Sequence, residues 1–242
     1  MKPLKRTCNH CASIAIAERG RVADAQPGSQ AGLRKSAQPL TFTLGLDMWS
    51  SNVAVHPWVG DNYSNPIHFK YKTLILGESN YTTPEKFNSK LVTNCVEDDL
   101  AVGDPERDTG GFCKFSTKIR RTIFGRDESL GPNGLWHDVA FYNFVQSLVG
   151  DKSRVRPTYE MWTGSVPAFI EVVNELQPSR VLVLGKANWN NLLRHLDHQP
   201  ESQHIATLSI DTNLITAGYI NHPSSSLAYA TWQPVARQLL LT

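Results

Sequence analysis

TLILGESNY, Thr73 to Tyr81, is the stretch that decides the fold. Leu74, Ile75 and Leu76 form an unbroken apolar run closed by Gly77, without the polar alternation of a strand that faces water on one side. Such a run reads as a strand buried on both faces, the kind found in parallel sheets covered by helices. It then ends in Glu78, Ser79, Asn80 and Tyr81. A carboxylate at the end of a buried strand costs free energy unless it has a partner or a task.

Working outward, strand-like and helix-like segments alternate. FSTKIRRTIFG reads as a helix with Ser116 as its cap and Gly125 as its stop, and DVAFYNF (138–144) as the next strand. SVPAFIEVVNELQP sets Phe169, Val172, Val173 and Leu176 on one helical face, ended by Pro178. RVLVLG is a third strand. The helix after it carries Trp189, Leu192, Leu193 and Leu196 on one side. IATLSI and LITAGYI follow as strands, and a last helix buries Trp232, Val235, Ala236, Leu239 and Leu240. This alternation predicts an α/β fold with a parallel sheet between helical layers, whose ligands sit beyond the carboxyl ends of the strands.

The chain has 242 residues, 40% hydrophobic and 19% charged, which suits one soluble domain with a tail. No apolar run is long enough to span a bilayer, so no membrane role is expected. Residues 1–38 are basic, poor in acids and without an apolar period. They read as a flexible or loosely docked tail ahead of a domain over 39–242. Their composition also suits an organelle-targeting peptide, without the apolar centre of a secretory signal.

The net charge of +2 does not by itself argue for nucleic acid. Lys114, Lys118, Arg120, Arg121 and Arg126, however, form a run with no acid among them, either a solvated helix face or a phosphate-facing patch. Cys8 and Cys11 in CNHC have metal-ligand spacing, but Cys95 and Cys113 are isolated and supply no matching knuckle. No metal, cofactor or disulfide framework is expected.

Three strand ends are unusual: Glu78 to Tyr81, Asn143 after VAFY, and Asn221 to Ser224 after ITAGYI. Each residue has a bland structural use. Glu78 can pair with a basic side chain, Asn143 can satisfy a loop, and His222 can fix a turn with Ser224 or Ser226 as N-cap. Together at one rim they suggest a site. A G-x-S-x-G elbow, a Walker loop and a dinucleotide glycine fingerprint are all missing. A carboxylate, an amide and an imidazole remain, a set suited to activating water, reading a polar ring edge and stabilising an anionic leaving group.

These motifs resemble those of the uracil-DNA glycosylase superfamily. LILGESNY is similar to its first motif, INHPSSSL to its second, and VAFYNFVQS to the strand carrying the Asn that reads the base. GGFCKFSTKIRRTIFG resembles the stretch supplying a base-stacking Phe in the iron–sulfur branch, and QPSRVLVLG that branch's later strand. The resemblance spans roughly residues 70 to 240. It implies a three-layer α/β/α fold with a central, mainly parallel four-stranded sheet, and a DNA glycosylase that flips out a non-standard pyrimidine and cuts its N-glycosidic bond.

By that resemblance Glu78 directs water and stabilises the sugar cation, with Asn80 as the competing residue. His222 donates to the ring oxygen. Asn143 reads the ring edge, Phe112 or Phe115 stacks on the base, and Tyr81 crowds the pyrimidine C5. Ser224 and Ser225 suit a phosphate and Leu227 wedges into the duplex, while Lys118, Arg120 and Arg121 of the basic run are the further candidates to meet DNA. The implied partner is DNA, for a monomer in the cytoplasm or, in a bacterium, at the nucleoid.

The departures are equally plain. Ser147 stands where the iron–sulfur branch has a Cys, a further Cys is missing, and Asn80 replaces a Pro. No cluster is therefore expected. An acidic insertion, VEDDLAVGDPERD (96–108), precedes the stacking Phe and leaves the base open: uracil, or a C5-modified pyrimidine such as the glucosylated hydroxymethylcytosine of some phage genomes. Excision of the latter would be antiviral defence rather than repair. A non-catalytic DNA-binding module of the same fold and a hydrolase of free nucleosides are the other readings.

Overall fold

The computed structural model describes residues 49–102, 111–126, 133–152 and 155–242. The basic tail, the Cys8/Cys11 pair and the end of the acidic insertion lie outside the described residues.

The buried run forms a strand at Thr73–Gly77 (β2), every residue of it buried. It pairs in parallel with Val139–Asn143 (β4) on one side and Arg180–Leu184 (β6) on the other. Asn213–Ile220 (β9) adds in parallel to β6. These four strands are the all-parallel centre. The sheet does not stop there, and the expectation of four strands is corrected to seven among the described residues, in the order β1-β4-β2-β6-β9-β8-β7. Trp58–Val59 (β1) lies antiparallel on β4. Ile205–Ile210 (β8) folds back antiparallel on β9, and Asp197–Pro200 (β7) on β8. The tight connection through Asp211, at φ 50, explains the difference: a two-residue turn joins only antiparallel neighbours, so IATLSI cannot extend the parallel set. A separate pair joins Asn80–Tyr81 (β3) to Leu148–Gly150 (β5).

Helices Leu91–Val102 (α1), Gly111–Phe124 (α2) and Asn133–Trp136 (α3) connect β2 to β4. Tyr159–Gly164 (α4) and Val166–Leu176 (α5) lead from β4 across to β6. These two crossovers run in opposite directions along the sheet, so right-handed connection puts them on opposite faces. Lys186–His195 (α6) shares the α5 face, and Tyr229–Leu240 (α7) packs beside α2. The core follows the alternation of β4. Phe141 meets Phe112 and Trp136 on one face, while Phe144, just past the strand, meets Trp162 and Phe169 on the other.

Helix ends differ from expectation in two places. α2 begins at Gly111, so Ser116 is not its cap but a buried residue of its second turn. It does stop at Gly125, which takes φ 82 and donates to the Arg121 carbonyl at 3.0 Å. The last helix is capped at Ala228, not Ser224 or Ser226, and the Ser224 hydroxyl instead lies against His222 in the turn before it.

Part of the acidic insertion is α1, and its Asp99 is buried to accept from the Trp136 indole at 2.6 Å. At the opposite end of the sheet, fully buried Asp138 accepts from the backbone of Ile67 and His68 and from the Asn62 amide. It anchors the loop that precedes β2.

Candidate functional site

Parallel pairing aligns the ends of β2, β4, β6 and β9: Gly77 is level with Asn143, and Leu184 with Ile220. The residues that follow therefore emerge at one rim, as expected for ligand sites on such sheets. What holds them there is specific. Asn143 donates its amide to Asn80 Oδ1 at 2.9 Å, and Asn80 donates to the Val145 carbonyl at 2.9 Å. Asn80 is 2% exposed, with both ends of its amide occupied, so it locks two strand ends together. Gly77 makes room for this lock: a Cβ there would lie 1.9 Å from Asn143 Oδ1.

Glu78 follows Gly77 into a buried position, its side chain 8% exposed. The Arg156 guanidinium approaches both of its oxygens through one nitrogen, at 3.1 and 3.4 Å, while its own side chain is 74% exposed. Tyr81 donates its hydroxyl to the Val155 carbonyl at 2.8 Å and lies 3.4 Å from Ser79 Oγ. Burial pushes the Tyr81 phenol up, helped by the Glu78 charge and opposed by Arg156.

His222 is the best-defined group. The Ser224 backbone N–H donates to its Nδ1 at 3.2 Å, and the Ser224 hydroxyl lies 2.7 Å from the same nitrogen. A nitrogen that accepts a backbone N–H carries no proton, so the neutral ring bears its hydrogen on Nε2. Burial first, then the charges of Arg156 and Lys118, push the imidazole down to about 4. Gly185, at φ 104, runs beneath it, and a Cβ there would stand 3.4 Å from His222 Cβ. Lys118 donates to the Pro223 carbonyl at 2.6 Å and ties α2 to this turn.

Of the two candidate stacking rings, Phe115 stands beside His222, with centroids 5.6 Å apart and planes at 46°. Phe112 stacks inward on Trp136 at 5.7 Å and 19°. The rim thus brings together Glu78, Tyr81, Asn80, Asn143, Phe115, Lys118 and His222. Ser224 and Ser225 are exposed in the adjoining turn, while Leu227 is half-buried and packed against the core. Arg120 is buried, and Arg121 lies near the far end of α2, so neither joins the rim.

Sequence reasoning missed three contributors. Asn188, fully buried on α6, donates to the Leu76 and Gly77 carbonyls at 3.2 and 2.9 Å and props the end of β2. Its signal was an amide on the same stripe as Trp189 and Leu192. Gln146 donates to the Asn143 carbonyl at 2.8 Å and accepts from Val55 N at 2.9 Å. Arg156 was foreshadowed only by the basic spacing of DKSRVRP. A shallow cavity of about 400 Å³ lies on the α4 side, lined by Gln146, Ser147, Glu160 and Met161 among others; Glu78 and His222 do not line it.

Among the described residues no three His, Cys, Asp or Glu side chains are grouped to hold a metal, and no helix is long and apolar enough to cross a membrane. Neither the protein-family models nor the curated proteins hold a match to this chain.

Proposed function

We propose that the protein is a DNA glycosylase that extrudes a non-standard pyrimidine and hydrolyses its N-glycosidic bond, leaving an abasic site. The observation that carries this reading is His222, half-buried, neutral and oriented by Ser224 so that its Nε2–H is the free donor. A neutral donor preset at a rim stabilises oxyanion charge that grows as a bond breaks, without protonating the substrate beforehand.

In the reaction the C1′–N1 bond breaks, its electron pair leaves with the base, and the sugar becomes cationic. His222 Nε2–H bonds the pyrimidine O2 as charge collects there. The Glu78 carboxylate stabilises the sugar cation and orients the water that adds at C1′, and the water's proton passes to the carboxylate or to solvent. Phe115 supplies a ring face for the extruded base. Asn143 pairs with the base edge after its amide turns from Asn80. Asn80, buried and held to the Val145 carbonyl, acts as a support.

Uracil is the first substrate proposed, because Tyr81 is fixed at the rim by its bond to Val155, where its ring would crowd a C5 substituent. A C5-modified pyrimidine, and with it a role in phage defence, is the alternative. One observation favours a non-catalytic DNA-binding module instead: Glu78 and Asn143 are both engaged, by Arg156 and Asn80.

The test incubates purified protein with duplexes carrying uracil, 5-hydroxymethyluracil or glucosylated hydroxymethylcytosine. Alkali-labile sites on one substrate establish the enzyme and its base. Binding to all without cleavage establishes the module.

A further inference from the structure

We propose that Arg156 is a DNA-phosphate contact that leaves Glu78 when DNA binds, so that the catalytic carboxylate is uncovered only beside a nucleic-acid backbone. This rests on the glycosylase reading and names the group that links binding to chemistry.

The pair is asymmetric. Glu78 is buried, while Arg156 reaches it from solvent through one nitrogen rather than a two-nitrogen fork. A forked pair fixes both partners, whereas a single-nitrogen contact from an exposed side chain is readily exchanged. The Arg156 backbone, by contrast, is held. Tyr81 bonds the preceding carbonyl, Pro157 restricts the residue before it, and Thr158 caps α4 by accepting from Met161 N at 3.3 Å. The guanidinium therefore moves as a side-chain swing on a fixed base.

Arg156 also opposes the proposed chemistry where it stands. A cation 3.1 Å from Glu78 cancels the charge that would stabilise a sugar cation. Among the described residues Arg156 is the only side chain paired with Glu78, so its departure leaves the carboxylate unneutralised. A phosphate at the rim supplies the competing anion, and guanidinium binds phosphate at least as well as carboxylate. A free nucleoside carries none, which directs the enzyme to polymers.

A double-mutant cycle tests the exchange. Binding of the full chain, Glu78→Gln, Arg156→Gln and the double variant to a duplex is measured by fluorescence anisotropy across a salt series. If Arg156 must be drawn from Glu78, Glu78→Gln tightens binding about three- to tenfold in the parent. Arg156→Gln weakens binding and lowers the salt slope by about 0.9, the value of one phosphate. In the Arg156→Gln background the gain from Glu78→Gln disappears. An equal gain in both backgrounds means simple charge repulsion and overturns the exchange, as does an unchanged salt slope. Binding with this coupling but no base release overturns the glycosylase reading alone. No binding by the parent chain overturns both.

Discussion

At the scale of single residues, the rim is built from side chains whose roles depend on what their other atoms are doing. His222 illustrates it. With Nδ1 accepting from Ser224, only Nε2 can donate, and burial with two nearby cations keeps the ring neutral. The consequence for stability has a definite sign. The folded imidazole titrates at about 4 and the free one at 6.5, so between those values the unfolded chain binds the proton and the folded one does not. His222 therefore weakens the fold as pH falls from 6.5 towards 4 and is without effect above that window. Urea unfolding at pH 7.5 and 5 should show a loss at the lower pH that shrinks in His222→Ala. Single-turnover base release by His222→Ala should fall by about two orders of magnitude, the scale of a lost oxyanion donor, with duplex affinity largely kept.

At the scale of elements, the strand ends are held by buried amides rather than by loop rigidity. Asn188 spans two carbonyls of β2, and replacing it with Leu removes both of its bonds there, leaving the Gly77 carbonyl with the Phe144 N–H. The expected cost is about 1–3 kcal/mol, read as a lower urea midpoint. Gly77→Ala should cost a similar amount, about 1–3 kcal/mol, by driving a methyl group into the Asn143 amide. It should also reduce base release, since Asn143 is displaced. Elements of this kind were well marked in the chain. The apolar run of β2 and the 3.6-residue stripe of α5 each state their burial directly. β7 was hidden, because DHQP has no apolar alternation and is largely exposed, whereas β8 was read as a strand in IATLSI. The start of α2 was missed since Gly111 is a poor helix former, placed there by the packing of Phe112 on Trp136 rather than by propensity. Glu78, Asn143 and His222 were legible since they interrupt apolar patterns at strand ends. Arg156 was not, since a charged residue in a loop looks the same whether it is solvated or paired.

At the scale of the whole molecule, the question is where charge lies relative to the rim, because a net charge of +2 gives little general attraction to DNA. In sequence the basic run on α2 reads either as a solvated helix face or as a phosphate-facing patch. The helix runs from the rim, where Phe115 meets His222, to the opposite pole, where Phe124 packs on Phe69 and His68. The nine residue steps from Phe115 to Phe124 rise about 14 Å, well beyond the screening length of about 8 Å at physiological salt. Arg126, just past the helix, is therefore screened from DNA held at the strand ends. Lys186, exposed and next to the Gly185 that underlies His222, is close to it. Reversing these two charges separates a rim-bound duplex from one lying along α2. Lys186→Glu should weaken duplex binding about tenfold at physiological salt, and Arg126→Glu less than about twofold. The opposite ranking would place the nucleic acid on the helical face, away from Glu78 and His222, and the two variants differ by the same charge change, so net electrostatics cannot produce it.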